Sequence, residues 1–262
     1  MPEGDSIVGK VVCGDWYDTV RALPPALVDL VLTDPPYECS TRPTDRQPDW
    51  SVFMAEMARV CRDTSEMWIF CRQPWATDVM IQARAHGWTF VQEVIWEKQN
   101  GGGCTFNTFR KVHENIFHFK MPKTPENDVS TILVPGEARP NATIRKRGGT
   151  SQFIGVKNSG YEYGDTRIAR SVQRVRNVHM THEALGHPHQ KPISLGLMLV
   201  GYSSSPGGIV LDPFCGTGTF AEAAATLGRR YIAIDVDPVE ADKARKRLEG
   251  AGDSLMDVDK EG

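Results

Sequence analysis

Seven short apolar runs constrain what this chain can fold into more than any other feature. They fall at residues 10–14, 28–33, 67–71, 90–96, 115–119, 209–212 and 231–235. Most are rich in Val, Ile, Phe and Trp, and the central ones are continuous rather than alternating. A strand with one wet face alternates apolar and polar residues, so an unbroken run calls for a parallel sheet covered on both faces. Helical patterns lie between the runs. Residues 50–61 carry Phe53, Met54, Met57, Val60 and Cys61 at helical spacing, followed by a turn at Arg62-Asp63-Thr64-Ser65. Residues 74–86 open with a proline and stop at Gly87, 192–202 end in a Ser-Ser-Ser-Pro-Gly-Gly turn, 219–227 close at Gly228, and 238–248 form the last helix. Strands alternating with helices predict an α/β fold, a doubly wound and mostly parallel sheet of seven strands.

One stretch breaks that rhythm. From 122 to 187 the chain has four prolines, several Gly and Asn and few long apolar runs. It is expected to be a loop-rich insertion, leaving 1–121 and 188–250 as the α/β domain and 251–262 as a polar, frayed tail. Charge is unevenly spread. The chain carries 30 Lys+Arg against 33 Asp+Glu, a net −3, yet residues 139–176 hold nine basic and two acidic residues, so that segment is +7 and the rest −10. Such separation is an electrostatic footprint for a nucleic-acid backbone, or simply a solvated basic face. Hydrophobic residues at 40% and charged residues at 24% argue against general disorder. No apolar run approaches the ~18 residues of a membrane span, and the N-terminus lacks a signal-peptide pattern. The six cysteines, at 13, 39, 61, 71, 104 and 215, form no C-x-x-C pair and suit free thiols in a reducing cytoplasm.

Two motifs carry chemistry. The first, Asp34-Pro35-Pro36-Tyr37, ends a predicted strand, where ligands bind in an open α/β sheet. The two prolines stiffen the backbone and remove two amide donors, so the flanking carbonyls are held outward as acceptors. Asp34 adds a carboxylate and Tyr37 a flat apolar face. Together they make a rigid acceptor pocket with a stacking wall, suited to an exocyclic amine on a planar ring. A plain strand-ending Pro-Pro turn is the alternative.

The second motif, Asp212-Pro213-Phe214-Cys215-Gly216-Thr217-Gly218-Thr219, takes a strand through a glycine-rich turn into a helix. Asp235 follows Gly216 by nineteen residues and ends the next strand. Glycines let the backbone approach a ligand, and an acid at the second strand's end can take ribose hydroxyls. The spacing Gly216, Gly218, Ala221 also fits a dinucleotide fingerprint loosely, so the motif indicates an adenosine-containing ligand without saying which.

D-P-P-Y together with D-P-F-C-G-T-G-T resembles the amino-group DNA methyltransferases that use S-adenosyl-L-methionine. The tetrapeptide precedes the glycine motif by about 180 residues, an order similar to the circularly permuted β group, whose target-recognition region lies between the two. Gly14-Asp15 resembles that family's opening strand, where the acid contacts the cofactor's adenine. Trp96-Glu97-Lys98-Gln99-Asn100 and Val112-His113-Glu114-Asn115 resemble its middle strands. Arg170-Ser171-Val172 and His187-Pro188-His189-Gln190-Lys191-Pro192 resemble its R-S-V and H-P-T-Q-K-P signatures, with His189 in place of the usual Thr. The resemblance spans about 10–121 and 168–250 and leaves 122–167, where sequence specificity would reside, uncovered.

The resemblance implies a Rossmann-like, S-adenosylmethionine-dependent methyltransferase fold and methyl transfer to an exocyclic amine of a base flipped out of double-stranded DNA. Asp34 and the Pro35 carbonyl would accept the amine's N–H bonds, with Pro36 and Tyr37 completing the pocket. Asp15, Gln190, Lys191, residues 212–219 and Asp235 would hold the cofactor, Lys191 by pairing with its carboxylate and Phe214 by packing on it. Asp rather than Ser before P-P-Y favours adenine N6 over cytosine N4. Arg145, Lys146, Arg147 and Arg170 would meet DNA, the first three tracking phosphates. The family also implies a bacterial or phage-encoded cytoplasmic enzyme, often a homodimer, with no membrane role. His179, His182, His187 and His189 have metal-like spacing, but the chemistry needs no metal and no cysteine joins them, so no metal site is expected. Gly101-Gly102-Gly103 suits a flap or a plain flexible turn, and Trp68, Phe70 and Trp96 belong to the core. Competing readings are a cytosine-N4 enzyme, an enzyme acting on a protein glutamine or RNA amine, a nicotinamide-dependent oxidoreductase and a non-catalytic adenosine-binding module.

Overall fold

The computed structural model describes residues 7–38, 44–99, 109–135, 166–178, 181, 183–186 and 189–258, of which 250–258 are described by backbone alone. In chain order the elements are β1 (Lys10–Cys13), α1 (Trp16–Arg21), β2 (Val28–Thr33), α2 (Trp50–Val60), β3 (Cys61–Cys71), α3 (Trp75–Ala85), β4 (Thr89–Glu97) and β5 (His113–Lys120). A 3-10 turn (Val129–Ile132) leads into β6 (Leu133–Pro135), then β7 (Thr166–Ile168), β8 (Val172–Arg174), α4 (Ile193–Ser203), β9 (Ile209–Asp212), α5 (Thr219–Thr226), β10 (Arg230–Asp235) and α6 (Pro238–Val258).

Eight of these strands form one sheet in the order β1-β10-β9-β2-β3-β5-β4-β8. From β1 to β3 every pairing is parallel; β5 then runs antiparallel to both β3 and β4, and β8 pairs parallel with β4. From β2 the chain winds one way through α2 to β3, and from β9 the other way through α5 to β10. The paired strands β2 and β9 are therefore the topological switch point, where the crevice of a doubly wound sheet opens.

Burial explains the unbroken apolar runs. In β2, Leu30 and Leu32 pack with Leu195 and Leu199 of α4 and Phe220 of α5, while Val31 packs with Phe53 and Met57 of α2 and Val79 of α3. Both faces of β2 and β9 are covered, and Ile209, Val210 and Leu211 are at most 1% exposed. Each such side chain contributes about 1.5–3 kcal/mol by leaving water. Trp68, Phe70 and Trp96 are buried in the layer of Leu30 and Leu32, as expected. Asp49 starts α2 by accepting from the amides of Ser51 (2.9 Å) and Val52 (3.2 Å), which satisfies two donors of the first turn.

The structure departs from the sequence expectations in five places. The sheet has eight strands rather than seven among the described residues, because β8 adds to the free edge of β4; three residues carry no readable periodicity. Helix α1 was not expected for the same reason, at six residues. Strand β3 begins at Cys61, and the expected 62–65 turn is a bulge inside it: the register steps from Val28↔Cys61 to Leu30↔Glu66. Ser65 Oγ closes that bulge, accepting from Arg62 N and donating to the Val28 carbonyl. Within the stretch expected to be loop-rich, β6 and β7 pair antiparallel. Finally, α6 continues to Val258, past the end expected at Leu248 and into the segment expected as a frayed tail; Gly250 and Gly252 weaken a helix by about 1 kcal/mol each without forbidding it.

Gly218 sets the angle between the glycine turn and α6. Its φ is +78°, and a Cβ there would lie 2.9 Å from Ala244 Cβ and 3.2 Å from Ala244 Cα. Gly218→Ala combines left-handed strain with a steric clash and is expected to cost about 2 kcal/mol or more. A scanning calorimeter would read this as a fall in Tm of roughly 5 °C or more, and an unchanged Tm would exclude the close approach.

Candidate active site

Residues 179 positions apart meet at the switch point. Thr33, the last residue of β2, donates from Oγ1 to Asp212 Oδ1 at the end of β9 (2.8 Å, buried). The bond ties the strand that leads into D-P-P-Y to the strand that leads into the glycine turn. A cavity of about 460 Å³ opens between them, within the range of small-ligand and cofactor sites. Its walls include Asp34 to Tyr37, Asp15, Gln190, Lys191, Asp212 to Thr217, Thr219 and Asp235. Of the residues assigned from sequence to catalysis and cofactor binding, Gly218 alone is not on the wall, being packed against α6.

Side-chain carboxylates fold the glycine turn. Asp235 accepts from Gly216 N through one oxygen and from Asp237 N through the other, each at 2.8 Å. Asp212 Oδ1 also accepts from Phe214 N (3.2 Å). Asp15 caps α1 through the amides of Tyr17 and Asp18. Asp212 and Asp15 each take both of these bonds on Oδ1, and Asp235 takes one on each oxygen, so each carboxyl retains acceptor capacity beyond its structural bonds. Trp16 and Phe214 form an apolar side wall backed by the buried Phe53, with ring centroids 5.3–6.0 Å apart.

D-P-P-Y is braced from three sides. Tyr37 donates from its hydroxyl to Asp34 Oδ1 (2.6 Å). Asp45 Oδ1 accepts from the amides of Tyr37 and Glu38, both at 3.0 Å, which fixes the chain leaving the motif. Lys191 Nζ contacts Asp34 Oδ2 and lies 3.4 Å from Glu114 Oε2, and Lys98 in turn contacts Glu114. Lys191, expected from sequence to meet the cofactor's carboxylate, pairs in the structure with Asp34 and Glu114. The sequence could not reveal this pairing, because Glu114 and Lys191 come from distant elements. Gln190 likewise braces its own loop, donating to the Glu183 carbonyl (2.6 Å) and accepting from Leu185 N (2.9 Å).

The sequence also missed the 44–48 segment and Trp16, His189, Val236, Asp237 and Glu240, all on the cavity wall. Trp16 was within reach as the neighbour of Asp15; residues 44–48 carry no motif. Arg170 is exposed and lies outside this cavity, between β7 and β8. Arg145, Lys146, Arg147, Gly101 to Gly103, His179, His182 and His187 fall outside the described residues. Among the described residues no three His, Cys, Asp or Glu side chains converge as a metal site. Cys13, Cys61, Cys71 and Cys215 are free thiols, and no helix among the described residues is long and apolar enough to cross a membrane.

Burial dominates the electrostatics. It pushes the Asp34 carboxyl up, and Glu114 adds to that, against the opposing pull of Lys191 and Tyr37. Burial alone would lower Lys191, but Asp34 and Glu114 outweigh it and hold the ammonium charged. Glu114 is held below the usual carboxylate range because Lys191 and Lys98 outweigh its desolvation. The Cys215 thiol is driven far up by burial and is no nucleophile at neutral pH. Burial also raises Asp212, from an ordinary 3.8 to about 7, despite its bonds from Thr33 and Phe214. Between those values the folded state binds more protons than the unfolded state, so stability falls as pH rises through that window and levels off above it. From about pH 5 to about pH 7.5 the protein is expected to lose Tm more steeply than Asp212→Asn by calorimetry; equal slopes would show Asp212 ionised throughout.

Comparison with known proteins places this geometry. The chain matches the N6/N4 methyltransferase family, described as DNA methylase, over residues 28–246. It is 27% identical over 257 residues to the DNA adenine methyltransferase YhdJ of Escherichia coli strain K12, covering 92% of this chain and 83% of that one. Among solved structures it is similar to the M1.HpyAVI–SAM complex (TM-score 0.64, 20% identity, 91% of this chain and 98% of that one). It is also similar to the cytosine-N4-specific PvuII DNA methyltransferase (TM-score 0.69, 14% identity, 94% and 90%). The structural likenesses establish a shared Rossmann-like methyltransferase fold, and the family match covers most of the sequence, both motifs included: the chain belongs to the N6/N4 DNA methylase family.

Proposed function

We propose that this protein transfers a methyl group from S-adenosyl-L-methionine to the exocyclic N6 of an adenine flipped out of duplex DNA. The observation that carries this reading is the Asp34 carboxylate, fixed at the cavity wall next to the glycine turn by Tyr37 and Lys191. When bound, S-adenosyl-L-methionine supplies the methyl group from its sulfonium. Asp235 and Asp15 would take hydroxyl and amine donors of its adenosine, and the Trp16 and Phe214 wall would cover its apolar faces. Seven carboxyl side chains line the cavity against two cations, Arg46 and Lys191, among the described residues. That balance favours a cationic ligand and opposes the pyrophosphate of a nicotinamide cofactor.

An exocyclic amine is a poor nucleophile because its lone pair is delocalised into the ring. Asp34 and the Pro35 carbonyl would each accept one N–H, drawing the nitrogen toward sp³ and freeing the lone pair. As the N–C bond forms, the amine must shed a proton, and an aspartate raised by burial is a suitable first acceptor. No covalent enzyme intermediate is required, so the rate would come from positioning and electrostatics. The Arg72 guanidinium lies over the Tyr37 ring, 5.8 Å from its centroid. A base stacked on the ring's other face would recover part of the few kcal/mol spent on flipping. The DNA adenine methyltransferase relative and the Asp of D-P-P-Y support N6; the fold shared with a cytosine-N4 enzyme keeps N4 as the second reading.

Asp34→Asn is expected to lower methyl transfer from labelled S-adenosylmethionine by at least about a hundredfold while S-adenosylhomocysteine still binds; near-normal turnover would remove Asp34 from the mechanism. Asp235→Ala is expected to weaken S-adenosylhomocysteine binding in calorimetry by about tenfold to a hundredfold. Nucleoside digestion of the methylated DNA decides the base: label in N6-methyldeoxyadenosine supports this reading, and label in N4-methyldeoxycytidine replaces it with the second.

A further inference from the structure

A chain of alternating charges runs behind Asp34, and the methyl-transfer chemistry described above makes no use of its far end. Asp34 follows β2, Lys191 precedes α4, Glu114 lies in β5 and Lys98 follows β4. Contacts link Asp34 to Lys191, Lys191 to Glu114 and Glu114 to Lys98. The Lys191 side chain is only 5% exposed. Its ammonium lies 5.0 Å from the centroid of the Phe70 ring and 5.9 Å from that of Trp96, and its own carbonyl accepts from Thr219 Oγ1 at 3.2 Å. Burying two carboxylates and two ammonium groups carries a desolvation cost that an apolar cluster would not. That cost buys geometry at one atom group: Asp34 has a donor on each oxygen, the Tyr37 hydroxyl on one and Lys191 on the other, with a lone pair left on each.

We propose that Lys191 is the positioning residue of the active site: restrained by Glu114, it orients the Asp34 carboxylate and sets a positive charge against it where the target amine is received. The assignment rests on the reading of Asp34 as that acceptor. It gives the lysine of the Q-K-P segment to the acceptor side of the cavity rather than to the cofactor's carboxylate. The groups that bear on Asp34 from the surrounding elements are Tyr37, Cys71 from β3, Glu114 from β5, His189 and Lys191 from the loop before α4, and Asp212 from β9. Lys191 is the one among them that adds a positive charge in direct contact. Removing it leaves Asp34 beside Glu114 and Asp212 with no cation in contact and only the Tyr37 hydroxyl as donor, whereas removing the Glu114 charge leaves Asp34 as the one carboxylate paired with Lys191, whose ammonium also donates to the His189 carbonyl (3.3 Å). The two substitutions therefore act on Asp34 with opposite sign.

The test is a carbon-13 NMR titration of the full-length protein labelled at its aspartate carboxyl carbons, with the Asp34 signal assigned by its loss in Asp34→Asn. Lys191→Met is expected to raise the Asp34 midpoint by about one unit or more, and Glu114→Gln to lower it. The acidic limb of the pH–rate profile for methyl transfer to DNA is expected to move with each midpoint, and S-adenosylhomocysteine affinity to stay near the wild-type value. Lys191→Gln replaces Lys191→Met if circular dichroism shows the latter unfolded. Midpoints that stay put, or move the same way in both variants, would overturn the proposal. So would a Lys191 variant that loses S-adenosylhomocysteine binding with Asp34 unmoved, which would return Lys191 to the cofactor. Opposite shifts in a protein that methylates no DNA would sustain the role of Lys191 toward Asp34 and remove the methyl-transfer reading instead.

Discussion

The parallel pairing of β2 with β9 organises everything else. It joins Leu30 to Val210 and Val31 to Leu211 in register, so two strands from opposite ends of the sequence finish at the same level. Because the chain winds away from this pair in both directions, a crevice opens at their carboxyl ends. The Thr33–Asp212 bond then ties the two motifs together before either meets a ligand. The helices of both faces, the glycine turn and the D-P-P-Y segment are placed relative to this pair of strands.

The apolar layers secure that placement, and the polar groups spend some of the stability they supply. Asp34, Asp212 and Asp235 all have carboxyls raised by burial around one cavity. Desolvated carboxylates at close quarters repel one another, and a fold selected for stability alone would replace them with apolar residues. Their presence together at the switch point, each with hydrogen bonds that hold its orientation, supports the active-site reading proposed above. The ammonium of Lys191 is the counterweight, drawn in from the loop before α4.

A second buried polar group shows the contrast. His118 and Glu66 pair at 2.7 Å inside the sheet, with Trp68 stacked on the imidazole at 4.0 Å and Asn127 donating to the second Glu66 oxygen. Burial lowers His118 more than Glu66 raises it, and the His118 bond and charge hold Glu66 low despite its desolvation. The pair lies away from the wall of the main cavity. It links β3, β5 and the segment after β5, so its bonds serve packing, while those at the switch point present acceptors to a cavity.

Local chemistry was legible in the sequence wherever a residue's role depends on its neighbours in the chain. Continuous apolar runs declared strands covered on both faces, Gly216 and Gly218 declared the turn, and Asp-Pro-Pro-Tyr declared a stiff acceptor segment. Three-residue strands such as β8 and the six-residue α1 were not legible, because periodicity needs more residues than they contain. The bulge at 62–65 read as a turn, since only the partner strand shows that pairing resumes at Glu66. What the tertiary structure alone decided is which charges meet. Asp34, Glu114 and Lys191 lie on separate elements, and their contact depends on the antiparallel insertion of β5 beside β3 and on where α4 begins. Sequence fixes which side chains are available; the long-range pairing of strands determines which of them share a dielectric, and so which lysine belongs to which carboxylate.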